Sequence, residues 1–285
     1  MDSQKGRISI MESWRNNPPE IDFCLANFIA GTVGVVAVPA GIGKTSLLMQ
    51  LGAGVAAGIP VAGALLPPPP KTGKVVFFAT EDPPSVLKRR AHFFAKSLLA
   101  QGHGPETIAA MDRNFEFVSL PSPPKLLSND HIGSDGMHML EVAAKDSRLL
   151  ILDPIRRFHY CDEHDFDKML LLFEMLSSIV SGSSCSLLFS HHVEQALHTR
   201  DLGELEGAQG SSAFINATRW VVNMNGMSLS EADHFGMSPE LRRSYVRVAF
   251  TKSNYGAPIP ARWLKRSTQF EGVFETCELE AKVAQ

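Results

Sequence analysis

Four short stretches of this chain carry side chains that could work together chemically. Gly41-Ile42-Gly43-Lys44-Thr45 places two glycines ahead of a lysine and a hydroxyl. Glycines let successive backbone N–H groups turn inward around phosphate oxygens. The lysine would reach β- and γ-phosphates, and the threonine hydroxyl would bind Mg²⁺. Thr80-Glu81-Asp82 supplies carboxylates, and Glu81 would polarise an attacking water as general base. Asp153 closes the apolar run Leu149 to Leu152 and would hold Mg²⁺ through water. His191-His192 ends another apolar run and could report on a terminal phosphate. The chemistry this set can do is transfer of a terminal phosphoryl group to water, with Mg²⁺.

Each residue also has a plainer reading. Glu81 and Asp82 could cap the helix that Pro83 and Pro84 introduce. Either histidine could be a packing residue. The strict phosphate-loop motif also asks for glycine where Val38 stands. The joint placement favours chemistry, because in open α/β sheets ligands sit at the carboxyl ends of strands.

The elements that must position these groups alternate regularly. Thr32–Val38 is rich in β-branched residues and reads as a buried strand, and Lys44–Ala57 reads as a helix opening at the phosphate loop. Val75–Ala79 is a strand, Ser85–Leu99 a helix and Phe115–Leu120 a strand. Residues 121–136 form a long loop, and Met137–Lys145 is a helix. Leu149–Leu152 is a strand, Asp165–Val180 a helix and Ser186–Phe189 a strand that stops at the histidine pair. Residues 193–210 form a second long loop. Ser211–Thr218 is a short helix, and Trp220–Met224 and Tyr245–Thr251 are strands. Such alternation implies an α/β fold with a mostly parallel sheet, helices on both faces and antiparallel edge strands at the C-terminal end.

Composition narrows the class. The 285 residues are 44% hydrophobic and 20% charged, which excludes wholesale disorder. A net charge of −3 excludes coating of nucleic acid by bulk charge. Cys24, Cys161, Cys185 and Cys277 are scattered and form no CxxC pair, as suits free thiols in a reducing compartment. Thr45 to Pro70 contains no charged residue, but its glycines, Pro60 and alanines suit a buried helix and loop better than a bilayer span. The first residues show no signal-peptide core. The expectation is a cytoplasmic protein with no membrane partner.

The segments Ile29 to Gly34, Gly41 to Thr45, Glu81-Asp82-Pro83-Pro84, Leu152 to His159, His191-His192, Gly210-Ser211-Ser212, Thr218-Arg219-Trp220 and Lys252 to Pro258 together resemble the RecA/DnaB-type P-loop ATPases. The resemblance is strongest to the RepA-type hexameric replicative helicases of plasmids. It implies a RecA-like P-loop NTPase core over residues 31–285, preceded by an arm over residues 1–30 that docks on a neighbouring subunit. It implies nucleotide contacts from Ala40, Gly41, Ile42, Gly43, Lys44, Thr45, Ser46 and Arg90, with Mg²⁺ at Thr45 and Asp153. Catalysis would fall to Lys44, Glu81, His192 and Arg219. Arg219 stands where the family carries an arginine finger that reaches the neighbouring subunit's γ-phosphate. Lys252 and Tyr255 match a segment near the ATP site at the subunit border. Relatives of the DnaB type have an arginine two residues after that lysine, where this chain has Asn254.

The resemblance further implies a homo-hexamer with ATP sites at subunit interfaces and single-stranded DNA in a central channel. The loops at 121–136 and 193–210 would line that channel; the second carries His198, Arg200, Asp201, Glu204 and Glu206. Plasmid initiator or primase proteins are candidate further partners. A RecA-like recombination ATPase that forms filaments, and a regulatory P-loop ATPase without unwinding activity, are the alternative readings.

Overall fold

Strands whose residues are apolar on both faces need cover on both faces, and that requirement organises this chain. The structure, a computed structural model, describes residues 8–128, 131–193 and 212–282. The N-terminal helix α1 (Ile10–Arg15) is followed by a small antiparallel hairpin, β1 (Phe23–Leu25) and β2 (Phe28–Ile29). Then come β3 (Val33–Val38), α2 (Lys44–Ala57), β4 (Val75–Ala79), α3 (Pro84–Ala100), α4 (Pro105–Asn114) and β5 (Phe115–Ser119). They are followed by α5 (Ser134–Lys145), β6 (Leu149–Asp153), α6 (Phe166–Val180), β7 (Ser186–His192), α7 (Ser212–Ala217) and β8 (Trp220–Gly226). The chain ends with α8 (Leu229–His234), β9 (Tyr245–Ser253), β10 (Arg262–Arg266) and β11 (Phe274–Cys277).

β3 to β11 form one nine-stranded sheet in the order β11-β10-β9-β8-β3-β7-β6-β4-β5. β8, β3, β7, β6, β4 and β5 run parallel, and β9, β10 and β11 add on antiparallel at the β8 side. Side chains alternate across the sheet. Val75 and Phe77 face a core with α2, α3 and α4, whereas Val76 and Phe78 face a second core with α5, α6 and α7. α2 is buried from Ser46 to Ala56, so the uncharged run is a core helix. Among the described residues, no helix is long and apolar enough to cross a membrane.

The expected alternation and the antiparallel edge are present, with corrections. β7 does not stop at Phe189. It continues through the histidines because β3 offers them partners, Ala37 opposite His191 and Val38 opposite His192. α4 was not foreseen; it opens with Pro105 in its first turn and packs Ile108 and Met111 on the α2 side. α1, α8 and the β1–β2 hairpin were likewise not foreseen. The loop read at 193–210 lies outside the described residues, apart from Val193.

The body also begins earlier than residue 31. Cys24, Leu25 and Phe28 are fully buried. Phe28 stacks on Trp220 with centroids 4.7 Å apart, and the Trp220 indole N–H donates to the Ala26 carbonyl at 3.1 Å. Arg148, buried beside β6, grips Asp22 through two hydrogen bonds of 2.7 Å and donates to the Phe23 and Ser184 carbonyls. That guanidinium holds the Asp22 carboxyl below the usual carboxylate range. Only the stretch ahead of Asp22 is arm-like, and α1 buries no residue.

Asp22→Ala should therefore destabilise the whole domain. It leaves a buried guanidinium with carbonyl partners alone, a loss of about 2–3 kcal/mol after discounting for the partial exposure of Asp22. A single cooperative urea transition at lower midpoint is the expected result; an unchanged midpoint would return residues 22–30 to the arm.

Candidate active site

The phosphate loop is shaped by two glycines in the left-handed region, Gly41 (φ +78°) and Gly43 (φ +107°). A side chain at Gly43 would also strike the Phe274 ring at 2.7 Å. Gly43 is the N-cap of α2 and offers no side-chain hydrogen bond, so the first-turn N–H groups of this helix are left for an anion. Val38, where the strict motif has glycine, is simply the buried last residue of β3.

Lys44 and Thr45 point toward the ends of the neighbouring strands. Lys44 Nζ lies 2.7 Å from Glu81 Oε2, 2.9 Å from His192 Nε2 and 3.9 Å from Asp153 Oδ1. The Thr45 hydroxyl donates to Asp153 Oδ2 at 2.6 Å, and Ser190 donates to Asp153 Oδ1 at 2.6 Å. Thr80 donates to the Asp153 carbonyl at 2.9 Å and so ties the end of β4 to β6. An ammonium at 2.9 Å makes His192 Nε2 the acceptor, which places the ring proton on Nδ1. His191 is instead buried in the sheet with its ring edge-on to Phe214. His192, not His191, faces the phosphate site.

Burial raises the Asp153 carboxyl above its ordinary range, opposed by Lys44 and by the Ser190 and Thr45 hydroxyls. Burial lowers His192, and Lys44 lowers it further. The hydroxyl of Thr45 and the carboxylate of Asp153 are hard oxygen donors in contact, the donor set that Mg²⁺ takes when phosphate oxygens and water complete its shell. Ser46 and Arg90 are joined at 3.2 Å, and Arg90 also pairs with Asp82 at 3.1 Å. Arg90 is thus held against the first turn of α2, and Asp82 serves as its anchor.

Lys44, Thr45, Ser46, Glu81, Arg90, Asp153 and His192 are therefore brought together. Arg219, Lys252 and Tyr255 are not. Arg219 precedes β8, whose Val221 lies opposite Val35, so Arg219 sits at the start of β3 rather than at its phosphate-loop end. That separates it from the loop by the length of β3, about 17 Å at ~3.3 Å per residue. Lys252 lies at the same far end and donates to the Ile215 and Asn216 carbonyls at the end of α7, at 2.6 and 3.2 Å. Burial and the nearby Arg219 charge lower its pKa. Arg219 itself is exposed, and so is Tyr255.

Sequence reasoning missed Ser190, Thr80 and a basic cavity. The cavity, about 280 Å³, opens beside Gly41 and Ile42 and is lined by Arg242, Arg243, Arg266 and Tyr245. Arg266 donates to the Ile42 carbonyl and lies over the Phe274 ring at 5.0 Å. Nothing local could have announced it, because its walls come from the phosphate loop, the turn before β9 and β10.

The AAA domain family matches residues 9–196, well over half of the chain. Among solved structures, a DnaB-like replicative helicase, described with its interactions with primase, superposes with a TM-score of 0.63 at 11% identity. The match covers 97% of this chain and 69% of that one. The RadB recombinase superposes with a TM-score of 0.53 at 13% identity, covering 89% of this chain and 93% of that one. The fold is accordingly that of the RecA-like P-loop ATPases.

The buried histidines set a pH response. Burial lowers His191 and His159, the latter under the loop after β6, each from 6.5 to about 4. Between those values the unfolded chain binds protons that the folded chain does not, so stability is full above pH 6.5 and falls as pH drops toward 4. Asp153 and Glu163, raised by burial, act in the opposite sense. Calorimetry should show the melting temperature falling with pH across this window, with a shallower fall in His159→Gln. Equal slopes for the two proteins would contradict the buried neutral ring.

Proposed function

Because this chain belongs to the AAA domain family, we propose that it is an ATP-hydrolysing DNA helicase of the RepA type. It would work as a homo-hexameric ring that tracks along single-stranded DNA and unwinds duplex during plasmid-type replication. The observation that carries this reading is the split of its machinery. Lys44, Thr45, Glu81, Asp153 and His192 meet at one end of the sheet, while the exposed Arg219 stands at the other. A finger so placed would serve another subunit's site.

The contacts of Lys44 suggest how its pairing could be coupled to hydrolysis. Lys44 Nζ pairs with Glu81 and donates to His192. Phosphate in the loop would draw the ammonium away and leave Glu81 free to orient water as a base. The N–H groups at the start of α2 hold the phosphates, and Thr45 and Asp153 would hold Mg²⁺, which offsets the charge that builds on the transferring group. His192, no longer tied to Lys44, would face the terminal phosphate. The basic cavity beside Gly41 and Ile42 would take the ribose and base end of the nucleotide. Initiator or primase proteins remain proposed partners of the ring.

Glu81→Gln should keep nucleotide binding and lose about two to four orders of magnitude in turnover. Loss of binding itself would mean that Glu81 is structural.

Arg219→Ala should bind ATP yet hydrolyse it poorly, since arginine fingers contribute roughly 10³–10⁵ in turnover. Mixed with Lys44→Ala subunits, it should regain part of the activity, because some interfaces then pair an intact loop with an intact finger. No recovery in demonstrably mixed rings would defeat the intersubunit role. Electron microscopy with ATP and single-stranded DNA should show closed rings; filaments would favour a recombinase-type ATPase instead.

A further inference from the structure

The segment that leaves the Asp153 strand carries a second charge arrangement. A single 3₁₀ turn, Ile155–Phe158, puts Arg156 and Arg157 in solvent, and Tyr160 is 64% exposed. Lys125, between β5 and α5, lies 4.6 Å over the Tyr160 ring and donates to the Arg157 carbonyl. Arg157 donates to the Pro121 carbonyl at 2.9 Å. Three cations and an exposed aromatic ring therefore share one surface at the phosphate-binding end of the sheet. Backbone phosphates and stacked bases of a single strand are what such a surface suits.

Beneath it lies an oddity. Glu163 Oε1 is buried and has no hydrogen-bond partner among the described residues. It sits 3.6 Å from Arg156 Nε and 3.7 Å from His159 Nε2, between two partners and fully engaged by neither. Arg156 meanwhile is half exposed, and among the described residues it also makes a long 3.5 Å hydrogen bond to the His159 carbonyl. Asp162 and His164 flank Glu163 in sequence and act on its charge, and the Cys161 backbone touches His159.

We infer that Glu163 is a built-in competitor that masks Arg156 until a phosphate of single-stranded nucleic acid takes its place. This rests on the proposed function and deepens it, assigning a regulatory residue to the strand-binding surface. Glu163 holds Arg156 at one long contact, whereas a phosphate can take the guanidinium fork by two charge-assisted hydrogen bonds. The carboxylate competes with the phosphate for one guanidinium, and that competition sets the balance between grip and release. A motor that releases its strand at every step requires that balance. Once freed, the carboxylate has only a small gap to close onto His159, on the loop that begins at Asp153.

The test is fluorescence anisotropy of the full chain with labelled oligo(dT) of about 20 nucleotides over a range of salt. Glu163→Gln, folded by circular dichroism, should bind about 3- to 10-fold tighter at low salt. Its plot of log affinity against log salt should steepen by about 0.7, the value of one further phosphate contact to a single strand. Arg156→Gln should bind more weakly, and adding Glu163→Gln to it should change nothing. Glu163→Ala serves as a second unmasking variant and should behave alike. Unchanged affinity and slope in folded Glu163 variants, with the wild type binding normally, would overturn this inference alone. So would a gain that persists without Arg156. If neither wild type nor any variant binds the oligonucleotide, the helicase reading falls and the inference falls with it.

Discussion

A carboxylate taken out of water must be compensated, and much of this site is the compensation of one such group. Asp153 is 3% exposed at the end of β6, and its two oxygens accept from Thr45 and Ser190 while its carbonyl accepts from Thr80. Those partners come from α2, β7 and the end of β4. One buried charge thus ties the phosphate loop, the strand that carries His192 and the strand that carries Glu81 into a single rigid cluster. Lys44, 3.9 Å away, completes the balance of charge. The parallel order β3-β7-β6-β4 is what lets these groups converge, because it sets the carboxyl ends of all four strands side by side.

The same sheet keeps Arg219 away from that cluster. β8 runs parallel to β3, so a residue ahead of β8 lies at the amino end of β3. The antiparallel return of β9 brings Lys252 to the same end, where it closes the carbonyl end of α7. The chain therefore carries the Lys44–Glu81–Asp153 cluster at one end of the sheet and Arg219 with Lys252 at the other. Hydrophobic packing keeps them apart: Trp220, next to Arg219, is locked between Phe28 and Phe250. In the proposed ring, this rigidity would let the position of one subunit be felt at the site of the next.

Much of this was legible before any fold was known, wherever local chemistry left little choice. Two glycines before Lys44 permit the loop, apolar β-branched runs mark strands buried on both faces, and an acid at the end of such a run marks Asp153. The α/β class, the parallel core, the antiparallel edge and the bounds of α2 and β4 all follow from periodicity and turn residues. Less legible were short elements whose stability is tertiary. α4 depends on packing against α2, and the β1–β2 hairpin depends on Trp220 and Arg148, which lie more than a hundred residues away in the chain.

The sequence by itself determined which residue types stand at the strand ends and in the glycine turn, because these follow from local composition and near neighbours. Only the tertiary structure decided which histidine meets Lys44, since strand alternation turns His191 into the core and leaves His192 at the site. Only it showed that Ser190 supports Asp153, that three arginines gather beside Ile42, and that Glu163 is suspended between Arg156 and His159. It also placed Arg219 at the opposite end of β3 from its own chain's phosphate loop. The physical reason is common to all of these. A distance of a few ångströms between distant residues is set by strand order and register, and those are properties of the whole packed sheet rather than of any segment in it.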